Sequence, residues 1–115
     1  MQTPLALAKT AVLALEDKQG KDVKALKVED LTVLANFFVI CTATSTTHIK
    51  TLADEVEKQM EEAGEPCRRR EGFRDGGWIL LDFGCVIVHL FLEDVREFYS
   101  LERLWSDAEQ LTIDN

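Results

Sequence analysis

Five side chains in this sequence could in principle hold a metal ion or act in nucleophilic catalysis. They are the cysteines and histidines: Cys41, Cys67, Cys85, His48 and His89. Zinc sites usually take ligands in closely spaced pairs, and none of the five forms such a pair. A cysteine nucleophile needs an oriented base, and no local signature of one is present. We therefore interpret the cysteines as small buried hydrophobic residues and predict neither a metal site nor a catalytic residue.

A phosphate site is conceivable at the turn Thr42-Ala43-Thr44-Ser45, which follows an apolar strand and leads into a helix. A nucleotidyltransferase would have a Gly-Ser pair in this turn, followed by an Asp-x-Asp motif that holds a pair of magnesium ions. This sequence has Ala43 in place of the glycine and contains no Asp-x-Asp motif. We therefore expect a polar turn with a Ser or Thr cap, no enzymatic activity and no cofactor.

The basic cluster Arg68-Arg69-Arg70, with Arg74 nearby, allows two interpretations. Charged residues on an edge strand discourage aggregation, and short charge runs are commonly solvated. The alternative is a contact with RNA phosphate or with an acidic partner. We favour the solvated edge, and the contact stays open.

The most informative segment runs from Trp78 to Trp105 and predicts two strands, 78–83 and 86–92, joined by Gly84-Cys85. A two-residue loop fixes the register of such a hairpin. One face, the natural core face, then carries Ile79, Leu81, Phe83, Val86, Val88 and Leu90. The opposite face, here called the second face, carries Trp78, Leu80, Asp82, Ile87, His89 and Phe91. The second face is either covered by another layer or is a protein-binding surface, since exposed aromatic patches mark interfaces.

The remaining elements must position this hairpin. Residues 4–18 predict a helix with Leu5, Ala8, Val12 and Leu15 on its apolar face and Gly20 as its stop. In chain order we then predict a strand at 22–28, a turn or short helix at 30–35, a buried strand at 37–41, a helix at 45–63, an extended segment at 67–73, a turn at 75–77 and a helix at 93–104. The fold class is α/β (α+β), a single layered domain with a mixed sheet over 1–106, followed by a polar tail at 107–115.

Composition narrows the functional class. The chain has 115 residues, 46% hydrophobic and 30% charged, as expected of one globular domain. Its net charge of −8 disfavours nonspecific nucleic-acid binding and favours a basic partner, although acidity also maintains solubility. The odd number of cysteines argues against disulfides, and no signal peptide or membrane-spanning run is visible. We therefore expect a cytoplasmic protein.

Several motifs, in order and at matching spacing, resemble the ribosomal silencing factor family, RsfS, also called Iojap-like. The similarity extends over nearly the whole chain. Its motifs are Gly20-Lys21-Asp22, residues 37–45, Arg69-Arg70-Glu71-Gly72, Trp78 to Asp82, Gly84, Val86 to His89, and residues 96–105. The sequence departs from the common family pattern at Ala43, Thr46, Cys85 and Ser106.

The resemblance implies a nucleotidyltransferase-like fold without its catalytic acids. It further implies binding to the large ribosomal subunit through ribosomal protein number fourteen, which blocks subunit joining and lowers translation when nutrients are short. Organellar members take part in large-subunit assembly, and members can form homodimers. The family's contact surface corresponds to Trp78, Leu80, Asp82, His89, Phe91 and Tyr99. This set falls on the second face, with Tyr99 added from the following helix.

Overall fold

The computed structural model describes residues 3–28, 35–73, 76–95 and 109–111. Within these ranges the helices and strands follow in the order α1 (Pro4–Asp17), β1 (Lys21–Lys27), β2 (Phe37–Ala43), α2 (Thr46–Glu62), β3 (Arg69–Phe73), β4 (Trp78–Asp82), β5 (Val86–Leu92) and β6 (Glu109–Leu111). The sheet order is β3-β4-β5-β2-β1-β6. Strands β2 and β5 pair in parallel and the other neighbours pair antiparallel, so the predicted mixed-sheet α/β domain is confirmed.

Both helices begin where the sequence provides a cap. The Thr3 hydroxyl accepts a hydrogen bond from the Ala6 N–H at 3.1 Å, with Pro4 in the first turn. The Ser45 hydroxyl accepts from the His48 N–H at 3.0 Å. Both helices pack on the same face of the sheet, against β2 and β5 among others, and against each other.

The hairpin has the predicted register. Ile79 lies opposite Leu90, Leu81 lies opposite Val88, and the Phe83 N–H donates to the Val86 carbonyl at 2.9 Å. The whole predicted core face is buried beneath the helices. Strand β2 is buried along its entire length, as its continuous apolar run predicts for a central strand.

Helix α1 departs from its predicted apolar face. Leu5 is 42% exposed, whereas Leu7 is buried with Ala8, Val12 and Leu15. The reason is that α1 is apolar on nearly all sides, so its sequence periodicity does not define which side packs. Contacts with the sheet and with α2 select the buried side instead.

Gly20 ends α1 for a different reason from the one predicted. The left-handed position is taken by Gln19, at φ 63°, and Gly20 is not in that conformation. A Cβ atom on Gly20 would lie 2.5 Å from the Cys41 sulfur and 3.0 Å from the Leu15 carbonyl oxygen. Gly20 is therefore needed for the close approach of the chain to β2.

The predicted polar tail is wrong at Glu109–Leu111, which pairs antiparallel with β1 as strand β6. Pairing satisfies backbone groups that β1 would otherwise present at the sheet edge. The alternation of Leu111 and Ile113 in the sequence was the signal from which this strand could have been predicted.

The predicted turn or short helix at 30–35 lies outside the described residues except for its last position. Of the predicted helix at 93–104, only residues 93–95 are described, and they are helical.

Candidate protein-binding face

The second face is exposed to different extents on its two strands. On β4 the side chains of Trp78, Leu80 and Asp82 are all partly exposed. On β5 the side chains of His89 and Phe91 retain only 6% and 1% exposure. The second face is therefore partly covered and partly at the surface: His89 and Phe91 are buried, whereas the three β4 positions and Ile87 on β5 are partly exposed.

A second hydrophobic cluster explains why the β5 side is buried. It lies on the side of the sheet away from the helices and comprises Leu26, Val28, Ala35, Phe38, Ile40 and Phe91. Trp78, Ile87 and Val95 pack against it while remaining partly exposed. The cross-strand neighbours of β5 on β2 are apolar, with Phe38 opposite Ile87 and Ile40 opposite His89. Trp78 thus extends from this buried cluster to the surface.

His89 is surrounded by aromatic rings. Its centroid lies 5.2 Å from that of Phe38 in an edge-to-face arrangement and 6.1 Å from that of Phe91 in a stacked one. The Trp78 ring lies 6.1 Å from His89 and 5.1 Å from Phe91. Burial among these uncharged groups lowers the pKa of His89 to about 4. The imidazole is therefore neutral at neutral pH.

The hydrogen bond between Trp78 and His89 determines the tautomer. Indole Nε1 can only donate, and it lies 3.4 Å from Nδ1 of His89. Nδ1 must therefore be the acceptor, so the proton resides on Nε2. This Nε2 atom is buried and has no hydrogen-bond partner among the described residues.

Asp82 stabilises the turn that follows β4. Its Oδ1 atom accepts from the Gly84 N–H at 2.8 Å. Gly84 has a φ of 88° and Cys85 is not in the positive-φ region, as in a type II′ turn with glycine first. One oxygen of the predicted contact carboxylate is thus engaged within the chain.

Strand β3 extends the second face beyond β4, which the sequence prediction missed. Arg69 lies opposite Asp82, and Glu71 lies opposite Leu80. Directly paired antiparallel residues project to the same side, so β3 adds charged groups beside the apolar ones. No local signal in the sequence identifies this pairing partner.

The three neighbouring arginines have different environments. Arg70 points to the helix side, where its guanidinium lies 2.6 Å from Glu57 and 2.8 Å from Asp54 on α2. Burial alone would lower its pKa, but these carboxylates outweigh that effect and raise it. Arg68 and Arg69 are 66% and 61% exposed, and their nearest acidic oxygens lie 3.8 and 3.6 Å away. Of the three, only these two are available to an external phosphate or carboxylate.

The other residues considered for chemistry have structural surroundings. His48 Nδ1 accepts from the Thr44 N–H and its Nε2 lies near the Lys18 carbonyl oxygen, both at 2.9 Å, so it links the end of α1 to the start of α2. Cys41, Cys67 and Cys85 are all free thiols. Burial raises the pKa of both Cys67 and Cys85. No group of three or more potential metal ligands comes together among the described residues.

Comparison with known proteins assigns the family. The protein-family model described as "Ribosomal silencing factor during starvation" matches residues 1–115 of this sequence. The chain belongs to this ribosomal silencing factor family. It is 37% identical over 109 residues to the ribosomal silencing factor RsfS of Bacillus subtilis, covering 95% of this chain and 92% of that protein. A crystal structure of a Chromobacterium violaceum protein has a TM-score of 0.88 at 34% identity, covering 99% of this chain and 94% of that one.

A more distant relative has a name that refers to ribosome assembly. The mouse protein named "Mitochondrial assembly of ribosomal large subunit protein 1" is 30% identical over 98 residues. The match covers 83% of this chain and 43% of the mouse protein.

The structure separates the six contact residues that the silencing factor resemblance implied. Trp78, Leu80 and Asp82 are at the surface, whereas His89 and Phe91 lie beneath it. Tyr99 lies outside the described residues. In this structure His89 and Phe91 are buried and pack against the ring of Trp78. That the surface residues contact a partner remains a prediction.

The structure also has a cavity of about 510 Å³ where the parallel strands β2 and β5 end. Ligands of open α/β sheets bind at such carboxyl ends. Its described lining consists of Lys21, Thr42, Ala43, Thr44, Leu92, Glu93 and Asp94. One ammonium group beside two carboxylates makes a poor site for a triphosphate. The resemblance to the nucleotidyltransferase-like fold stays a prediction.

Proposed function

We propose that this chain is a non-enzymatic translation repressor that binds the large ribosomal subunit through ribosomal protein number fourteen. The bound protein blocks subunit joining sterically and represses translation under nutrient limitation. Family membership supports the ribosomal role. The observation that carries the proposed site is the partly exposed row Trp78, Leu80 and Asp82 on β4, which lies beside the buried His89 and Phe91 of β5.

The composition of this row fits a protein partner. Trp78 and Leu80 supply apolar area that a partner can desolvate, and tryptophan is prominent among interface hot spots. Asp82 lies beside this apolar area on the same strand. The chain carries a net charge of −8, so its electrostatic field favours a basic partner. Ribosomal proteins that contact RNA are of this basic kind. We place this activity in the cytoplasm, where ribosomal subunits join. None of the described helices is long and apolar enough to cross a membrane.

A role in large-subunit assembly at the same surface is the second candidate. The name of the mouse relative favours it. The two functions would share the face on β4 and differ in when binding occurs. Subunit profiles of a deletion strain distinguish them, because accumulated precursors indicate assembly, whereas normal subunits with poor survival in starvation indicate silencing.

A homodimer through the second face would be an inhibitory state. An exposed apolar row can pair with a second copy, and that pairing would cover Trp78 and Leu80. Dimerisation and subunit binding would then compete. A dimer that binds the large subunit without dissociating would overturn this part of the proposal.

Nucleotide binding is the least favoured candidate. The cavity at the ends of β2 and β5 is the observation in its favour, and its two carboxylates argue against a triphosphate. Binding of ATP with magnesium at physiological concentration, together with transfer of label to a substrate, would revive it.

The decisive experiment replaces one exposed residue on each side of the molecule. Trp78→Glu places a charge in the proposed interface and should abolish large-subunit binding and the block to subunit joining. Leu13→Glu is the matched control, because Leu13 is 42% exposed on α1, on the opposite side of the sheet. Both variants are measured by cosedimentation with purified large subunits and by light scattering of subunit association. A Trp78→Glu protein that silences like wild type would refute the assigned face.

A further inference from the structure

The stability of the fold does not explain why a histidine occupies position 89. Its ring is neutral and buried, and its Nε2–H has no acceptor among the described residues. A buried donor without a partner destabilises a fold, whereas an apolar residue of similar shape would carry no such penalty. A leucine at this position, between Leu80 on β4 and Ile40 on β2, would suit the surrounding cluster at least as well.

What the imidazole provides and leucine would not is an acceptor for Trp78. The indole N–H points to Nδ1 of His89, while the indole ring is tilted by 32° against Phe91 at 5.1 Å. The hydrogen bond, at 3.4 Å, is longer than the usual N–H···N or N–H···O distance, so the ring contacts must share in holding the indole. Ring packing restricts the indole plane, and the hydrogen bond selects which edge faces inward.

We propose that His89 is a positioning residue that holds the Trp78 indole in the orientation required for docking to the basic ribosomal partner. This inference rests on the proposed function and deepens it, since it gives a buried residue a role in an interface that it does not touch. An indole fixed before binding does not lose its rotational freedom on docking. Such preorganisation strengthens binding without adding a contact.

Two substitutions of His89 separate positioning from stability. His89→Leu removes the acceptor and the unpaired donor together, so the fold should be as stable as wild type or more stable. Subunit binding should nevertheless weaken by about three- to tenfold, the cost of ordering one freed side chain. His89→Asn places an amide oxygen near the position of Nδ1 and should recover part of the lost affinity. A purely structural role would change stability and affinity in the same direction.

A direct readout of the indole comes from its Nε1–H resonance in a ¹H–¹⁵N spectrum of the free protein. The chain has two tryptophans, so Trp105→Phe assigns the Trp78 signal. We expect this resonance to shift and broaden in His89→Leu and to return toward the wild-type position in His89→Asn. The measurement needs no ribosome, so it tests the intramolecular step alone.

The outcomes of the two proposals can be told apart. An unchanged Trp78 resonance in His89→Leu overturns the positioning role, whatever the subunit does. The positioning role is also overturned if His89→Leu binds large subunits with wild-type affinity while Trp78→Glu fails to bind. If Trp78→Glu binds and silences like wild type, the assigned binding face is wrong. A shifted resonance, weaker binding and partial rescue by His89→Asn, without loss of stability, support both.

Discussion

Arg69 and Asp82 lie directly opposite each other on β3 and β4, so a cation and an anion share the same side of the sheet. Arg69 instead lies closest to Glu71, at 3.6 Å, and one oxygen of Asp82 accepts from the Gly84 N–H in the turn. The exposed apolar row at Trp78 and Leu80 is therefore bordered by charges at the end of β4 that leads into this turn. This arrangement provides an apolar centre with a charged rim, as protein interfaces commonly have.

Removing the charge of Asp82 should slow association with the large subunit. Asp82→Asn keeps an oxygen that can accept from the Gly84 N–H but loses the negative charge, so the turn should persist. We expect the association rate at low salt to fall on the order of threefold, and the difference to vanish at high salt. Stopped-flow measurements at several ionic strengths test this. Glu61→Gln on the exposed side of α2 is the control. An equal fall in the association rate there would show that the rate depends only on the net charge of the protein.

Acidification should destabilise the protein through His89. Burial lowers the folded-state pKa to about 4 from 6.5, so between these values the unfolded chain binds a proton that the folded chain does not. Stability is thus lost as the pH falls from 6.5 to 4, by on the order of 3 kcal/mol. Urea unfolding of wild type and His89→Leu across this range measures the difference, because other groups titrate in both. Parallel pH profiles would contradict the buried neutral imidazole.

A methyl group at Gly20 should overpack the contact with β2. Gly20→Ala would bring its Cβ to 2.5 Å from the Cys41 sulfur, and we expect a loss of about 1–3 kcal/mol in unfolding free energy. Cys41→Ala removes that sulfur, so the same glycine substitution should cost less in its background. Denaturant unfolding of the four proteins completes the cycle. An equal cost in both backgrounds would place the clash at the Leu15 carbonyl instead.

The ion pairs of Arg70 should contribute modestly to stability, and those of Arg69 hardly at all. Arg70→Met breaks the link between β3 and α2 and should cost about 0.5–1 kcal/mol, since the groups are partly solvated. Arg69→Met should stay within about 0.5 kcal/mol of wild type. Thermal unfolding at low and at molar salt distinguishes them, because screening should reduce the Arg70 effect. Equal losses for both arginines would contradict their different surroundings.

Local sequence rules determined most of the elements of this protein. The caps at Thr3 and Ser45 fixed where the helices begin, because their hydroxyls satisfy free N–H groups of the first turn. The two-residue loop Gly84-Cys85 set the hairpin register, and strict alternation of side chains along a strand then assigned each residue to a face. The continuous apolar run in β2 indicated a strand buried on both sides. The missing Asp-x-Asp motif by itself argued against transferase chemistry, because a pair of magnesium ions needs carboxylates to hold it.

Only the tertiary structure decided which parts of each face are exposed. Alternation places Trp78, His89 and Phe91 on one face. It cannot say that residues of β1 and β2 line the far side of the sheet, or that they form a second apolar cluster that buries Phe91. The same is true of β6, of the side of α1 that packs, and of the difference between Arg69 and Arg70. These outcomes depend on contacts between residues far apart in the chain. Periodicity describes one segment at a time, whereas burial is a property of the elements packed together.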